Sequence, residues 1–189
     1  MDSLTRCEWL DDSKLYIQYH DQEWGVPQHE DNRLFEMLLL ESFQAGLSWI
    51  TVLKKREHFR IAFDNFSPKK ISMYDESKVD QLVNNATIIR SRAKIIATIN
   101  NAKLFLELQD THGSFDKFIW SYVDHSPIIS NYSSLSELPA STELSTKISK
   151  DLKKIGFKFV GPTIIYAYMQ AIGMVNNHTK DCYLYKGEN

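Results

Sequence analysis

A chain of 189 residues is long enough to bury a substantial apolar interior in one domain, and a hydrophobic share of 43% supports that reading. The formal net charge of −2 excludes a whole-chain basic field, so any nucleic acid must be held by local patches and by shape. No apolar run approaches the ~18 residues needed to cross a bilayer, and the N-terminus shows no secretory apolar stretch. A soluble cytoplasmic protein without membrane contacts is expected.

Only seven glycines and five prolines interrupt the chain, and apolar residues follow the helical period, so the predicted fold class is all-α. In chain order, Asp31 is expected to cap a helix running to about Gln44, and Ser48 a second running to about Phe63. Asp75 opens a third helix, a fourth runs from about Ser91 to Leu108, and a short fifth spans Phe115 to Tyr122. The polar, Ser-rich stretch from Ser126 to Ser136 reads as a loop. Helices resume at Thr142 to Ile155 and again after Gly161-Pro162, where proline suits the first helical position. No fixed-period repeat or clear linker divides the chain, so residues 1–189 are read as one integrated helical unit.

Glu41 is the first candidate for chemistry. The 3.6-residue period places it on the stripe of Leu34, Leu38 and Ala45, which faces the core. A carboxylate there must find donors or take up a proton. It is either a functional acid or a structural one bonded to backbone or a tyrosine hydroxyl. Trp9, Tyr16, Tyr19, Trp24 and Trp49 lie near it in sequence. Their flat faces suit a flat cationic heterocycle, and equally suit an aromatic mini-core.

The two cysteines and two of the histidines form a second group. In a reducing compartment Cys7 and Cys182 suit thiol or metal chemistry better than a disulfide. His178 and Cys182 are four apart, so both share one face if that segment is helical. With Cys7 and His20 they would make a closed tetrahedral zinc site, structural because no position is left open for substrate. Such a site would tie the two termini together. The alternative is a pair of buried thiols beside unrelated histidines. His29, His58, His112 and His125 are expected at the surface.

The third group is the run from Leu152 to Thr163. A helix ending at Gly156, a short turn and a new helix at Gly161-Pro162 make a helix-hairpin-helix pattern. Backbone amides at the second helix's start, with Lys153, Lys154 and Lys158 nearby, could hold a phosphate. On this pattern alone it could equally be any turn between helices.

Together these residues resemble the bacterial 3-methyladenine DNA glycosylase I family, within the helix-hairpin-helix glycosylases. Cys7-Glu8-Trp9, Tyr16 to Asp21 and Glu23 to Pro27 resemble its N-terminal blocks. Leu40-Glu41, Gln44 to Trp49 and Leu53 to Arg56 resemble its active-site block, and Gly156 to Thr163 with Asn176 to Cys182 resemble its hairpin and metal-binding tail.

The resemblance implies a structural zinc on Cys7, His20, His178 and Cys182, with no organic cofactor. It implies a base pocket of Trp9, Tyr16, Tyr19, Trp24, Glu41 and Trp49, with Gly46 and Leu47 at the DNA face. Leu47 would fill the gap left by an extruded base. Double-stranded DNA bearing alkylated bases is the implied partner, and a monomer the expected state. Asn176-Asn177 stand where Asp-dependent relatives carry a catalytic aspartate. No lysine stands where a Schiff-base nucleophile is expected, which implies a monofunctional enzyme. Ser42, Phe43 and Ala167 differ from residues expected in some members and bear on the range of bases accepted. A non-catalytic sensor of alkylated bases and a zinc hydrolase are the competing functions; the first fails if product exceeds enzyme, and the second needs an open metal position.

Overall fold

The structure is a computed structural model that describes residues 4–187. Residues 1–3 and 188–189, at the ends of the expected 1–189 unit, lie outside the described residues. The architecture is helical, with α1 (Lys14–Gln22), α2 (Asp31–Gln44), α3 (Trp49–Leu53), α4 (Arg56–Ala62) and α5 (Pro68–Ile71) in the first part. Then come α6 (Glu76–Val83), the long α7 (Arg92–His112), α8 (Phe115–Trp120), α9 (Glu143–Ile155) and α10 (Pro162–Ala171). Among the described residues, the one departure from an all-helical chain is a short parallel bridge between β1 (Ile128–Ile129) and β2 (Val175–Asn176). No helix is long and apolar enough to cross a membrane among the described residues.

The core forms around α2, which packs against α3, α7, α8 and α10. Every residue from Leu34 to Phe43 is buried, so this helix has no solvent face along most of its length. A helix surrounded in this way must be apolar all round or must pair its polar groups. Glu36 shows the second solution. Its carboxylate receives Arg56 Nε at 2.6 Å, Arg60 Nη2 at 2.8 Å and Arg33 Nη1 at 2.5 Å. Arg33 and Arg56 also reach Glu23, so the network joins α2 and α4 to the segment after α1. Aromatic packing closes the rest, with Phe105 stacked on Phe115 at 4.1 Å and Phe43 edge-on to Phe59 at 4.8 Å.

Several local expectations hold. Asp75 and Ser91 accept the third amide of their helices, and Thr142 with Ser145 forms a reciprocal cap at the start of α9. Gly156 ends α9 in the left-handed region at φ 119°, a conformation that costs glycine nothing. Gly161-Pro162 opens α10 as expected.

Others need correction. Asp31 is the first helical residue of α2, not its cap. Its carboxylate instead accepts the amides of Phe115 and Asp116 at 2.9 and 2.8 Å, capping α8 across the core. Ser48 precedes α3 but makes no side-chain cap bond, its hydroxyl meeting that of Thr51. The helix expected from Ser48 to Phe63 is two, α3 and α4, broken at Lys54-Lys55. The helix expected to end at Leu108 continues to His112, and helix α1 was not anticipated.

Candidate active site

Glu41 lies near the C-terminal end of α2 and is 2% exposed. The expected stripe of Leu34, Leu38 and Ala45 is only one side of a helix buried on all sides. What separates Glu41 from Glu36 is its partners. Glu36 has three arginines, whereas Glu41 Oε2 is buried with no hydrogen bond. Burial alone pushes the Glu41 carboxyl from 4.5 up to about 8.

A cavity of about 210 Å³ opens beside this acid. It holds several times the ~30 Å³ share of one water, the scale of a flat heterocycle and not of an extended ligand. Trp9, Tyr16, Tyr19, Trp24 and Trp49 line it together with Glu41, so the whole expected pocket set converges. The rings meet at angles: Trp9 lies 4.9 Å from both Tyr16 and Trp24, and Tyr19 lies 5.3 Å from Trp49. Trp9 Nε1 and Trp49 Nε1 are buried and unpartnered, like Glu41 Oε2. A buried polar atom without a partner costs ~1–3 kcal/mol. Three of them around one cavity mark a place where a ligand supplies the missing partners. The Tyr16 hydroxyl is pushed to about 12, by burial first and then by Asp11 and Glu41, so it stays a neutral donor.

Gln44, which falls in the active-site block but was given no role of its own, also lines the cavity, as do Leu135, Leu138 and Gln170, which the sequence does not mark. Gln44 stands beside the Gly46-Leu47 signal, whereas nothing in the Ser-rich stretch distinguishes Leu135 or Leu138. Ala167 faces the cavity, but Ser42 and Phe43 do not: Ser42 Oγ donates to Leu38 O, and Phe43 packs in the core.

Gly46 and Leu47 follow α2 on an exposed turn. Gly46 has φ 81° with open space where a side chain would stand, so its backbone conformation, not crowding, calls for glycine. Leu47 is 42% exposed, and its amide bonds Gln44 O. Lys94 Nζ, from α7, donates to Phe43 O at 2.9 Å and Ala45 O at 2.7 Å, fixing the chain that enters this turn. No sequence pattern marked Lys94 for that task.

In the turn between α9 and α10, Lys153, Lys154 and Lys158 are exposed while Phe157 and Val160 are buried anchors. Asn101 on α7 braces it, its Nδ2 donating to Lys158 O and its Oδ1 accepting Lys158 N, both at 2.9 Å. The amides of Phe157 and Lys158 are therefore already used, by Leu152 O and Asn101, and are not free for a phosphate. Those at the start of α10 remain, because first-turn amides have no partner within the helix and Gly161 supplies no side-chain cap.

The ligand atoms of Cys7, His20 and Cys182 lie within 4.8 Å of one another. The His178 ring lies 4.9 Å from that of His20, and its buried Nε2 has no partner. His20 Nδ1 meets Asp21 Oδ1 at 2.8 Å, and His178 Nδ1 meets Asn176 Oδ1 at 2.8 Å. Each ring is thus held through one nitrogen, the arrangement that orients an imidazole toward a metal. The neighbouring Cys7 and then His20 draw the Cys182 thiol down, while Cys182 and burial push Cys7 up. His178 and Cys182 come together on an irregular segment and not on a helix, which corrects the basis on which they were paired. Asn177 bonds Tyr166 and Ser130 from a buried position. His29, His58, His112 and His125 are exposed as expected. The cluster also touches the pocket walls, His20 lying 5.4 Å from Trp9 and His178 4.7 Å from Trp24.

The helical frame and its slot, with a buried acid and unpartnered indole nitrogens, define a class of protein that takes up a flat ring with a polar edge. A family model for methyladenine glycosylases matches residues 9–185, and the chain belongs to that family. It is 50% identical over 184 residues to DNA-3-methyladenine glycosylase 1 of Escherichia coli, covering 97% of this chain and 98% of that one. A crystal structure of a 3-methyladenine DNA glycosylase I superposes with a TM-score of 0.94 at 49% identity, covering 96% of this chain and 100% of the other. A variant of a 3-methyladenine DNA glycosylase I, solved in complex with 3-methyladenine, gives 0.93 at 37% identity, with coverages of 97% and 99%.

Proposed function

We propose that the protein is a DNA-3-methyladenine glycosylase that flips the damaged base out of double-stranded DNA and hydrolyses its bond to deoxyribose. The observation that carries this reading is the slot itself, where Glu41 Oε2, Trp9 Nε1 and Trp49 Nε1 stand buried without partners around a ring-sized cavity. An extruded adenine has donors and acceptors along its edge, which supply what Glu41 and Trp9 lack, and two flat faces that suit the surrounding rings.

Tyr16 and Trp49 stack on the ring while Glu41 reads its edge, and Trp9, Tyr19 and Trp24 complete the walls. The acid, raised to about 8, is largely protonated in an empty slot near neutral pH. A positively charged ring beside it favours ionisation, so the group donates in one state and accepts in the other. Aromatic faces add ~0.5–2 kcal/mol for a cationic ring. Water attacks the anomeric carbon and loses its proton to solvent, the glycosidic bond breaks, and its electron pair passes to the ring, neutralising it. A base that already carries positive charge leaves readily, in keeping with Asn176 and Asn177 serving structural bonds where Asp-dependent members of the wider superfamily place an aspartate. The enzyme acts as a monofunctional glycosylase, leaving an abasic site uncut.

The turn from Gly156 to Gly161 works as the hairpin of a helix-hairpin-helix element. Its free first-turn amides and Lys153, Lys154 and Lys158 hold phosphate, while Gly46 presents Leu47 to the gap in the duplex. A structural zinc on Cys7, His20, His178 and Cys182 fits the three donors gathered at Cys7, His20 and Cys182 and the orphaned Nε2 of the neighbouring His178. It would lock the N- and C-terminal segments of one domain. The protein acts as a cytoplasmic monomer and needs no organic cofactor. Incubation with methylated duplex DNA should release free 3-methyladenine in excess over enzyme and leave alkali-labile abasic sites; DNA that keeps its methylated bases refutes the assignment.

A further inference from the structure

We propose that Leu135 and Leu138, on the Ser-rich segment, form the wall that meets the alkyl group of the damaged base and so set the size of group accepted. This rests on the excision of alkylated adenine proposed above.

Both leucines line the slot although they stand far from Glu41 in sequence. Leu135 opens a single 3-10 turn, Leu135–Glu137, and Leu138 follows it, its amide donating to Leu135 O at 3.1 Å. Residues three apart eclipse in that geometry, so the two side chains face the same way.

The rest of the slot dictates how a ring must lie. An alkyl group neither donates nor accepts, so placing it against Glu41 Oε2 or Trp9 Nε1 leaves that atom buried and unpaired. The ring's heteroatom edge therefore turns to those atoms and its alkyl-bearing edge to the aliphatic side chains.

The segment is anchored well enough to act as a wall. Lys180 N donates to Tyr132 O at 3.0 Å, Ser133 N to the Glu137 carboxylate at 2.9 Å, and Leu135 N to the Glu8 carboxylate at 3.4 Å. Glu8 adjoins Trp9, so one short stretch of chain helps hold both sides of the slot. Leu135 remains 39% exposed at its mouth, and trimming it removes little from the core.

The test compares initial rates of 3-methyladenine and 3-ethyladenine release from DNA treated with methylating or ethylating agents. Adding or removing one methylene in an apolar pocket changes discrimination by ~10-fold or more. Leu138→Ala is expected to raise the ethyl-to-methyl ratio of kcat/KM by about tenfold on that scale, and Leu135→Ala to raise it less, with melting temperature preserved in the latter. Leu138→Phe should lower the ratio. A wild-type ratio in a folded Leu135→Ala protein, together with no shift in either Leu138 variant, overturns the proposal while leaving excision intact. Wild-type protein that releases neither base overturns the excision reading itself.

Discussion

Replacing Glu41 with glutamine should make the protein more stable at alkaline pH while removing its function. The carboxyl is buried without a partner, and its pKa is displaced from 4.5 to about 8. Between those values the folded protein binds a proton that the unfolded chain has released, so stability falls as pH rises. The protonated form's advantage is complete below about 4.5 and gone above about 8. Each pH unit in that window costs about 1.4 kcal/mol, so the displacement corresponds to about 5 kcal/mol as an upper figure. Glutamine keeps the shape, has no proton to lose, and lacks this slope. Urea unfolding of wild type and Glu41→Gln at intervals from pH 5 to pH 9 gives the comparison directly. Wild type should lose stability relative to the variant by several kcal/mol across the series. Two curves that stay parallel would refute the burial of an unpaired acid, whatever the variant does to activity.

Three further outcomes follow from the packing. Leu47→Ala, at an exposed position that does not line the cavity, should leave stability within ~0.5 kcal/mol of wild type. It should slow release from duplex DNA without weakening binding of the free base, measured by calorimetry; equal losses in both would remove Leu47 from the DNA face. Arg56→Met leaves buried Glu36 and partly buried Glu23 each short of one partner, and should cost about 3 kcal/mol in urea unfolding; a change below ~0.5 kcal/mol, the scale of an ordinary surface substitution, contradicts the network's role. Cys7→Ser should abolish stoichiometric zinc and, for a loss of about 3 kcal/mol, lower Tm by roughly 6–12 °C. Because His20 and His178 lie against Trp9 and Trp24, it should also weaken binding of the free base, whereas full metal content and an unchanged melt would dismiss the cluster.

How much of this was legible in the sequence depends on how local the cause is. The caps at Asp75, Ser91 and Thr142 are satisfied within one turn, so short-range chemistry predicts them. Asp31 carries the same capping chemistry but directs it across the core to α8, and nothing nearby in sequence announces that partner. Glu41 was visible as an acid among apolar residues, yet by pattern it cannot be told from Glu36, because α2 is buried on every side. The difference lies in Arg33, Arg56 and Arg60, two of them from another helix. The aromatic walls clustered in the first fifty residues and were found. Leu135 and Leu138 were not, because a Ser-rich loop folded over a distant pocket leaves no periodic trace.

The most direct measurement is a crystal structure of this protein grown with free 3-methyladenine. The base is expected in the slot between Tyr16 and Trp49, with Glu41 within hydrogen-bonding distance of its heteroatom edge. A base bound elsewhere, or lying with that edge turned away from Glu41, contradicts the central claim.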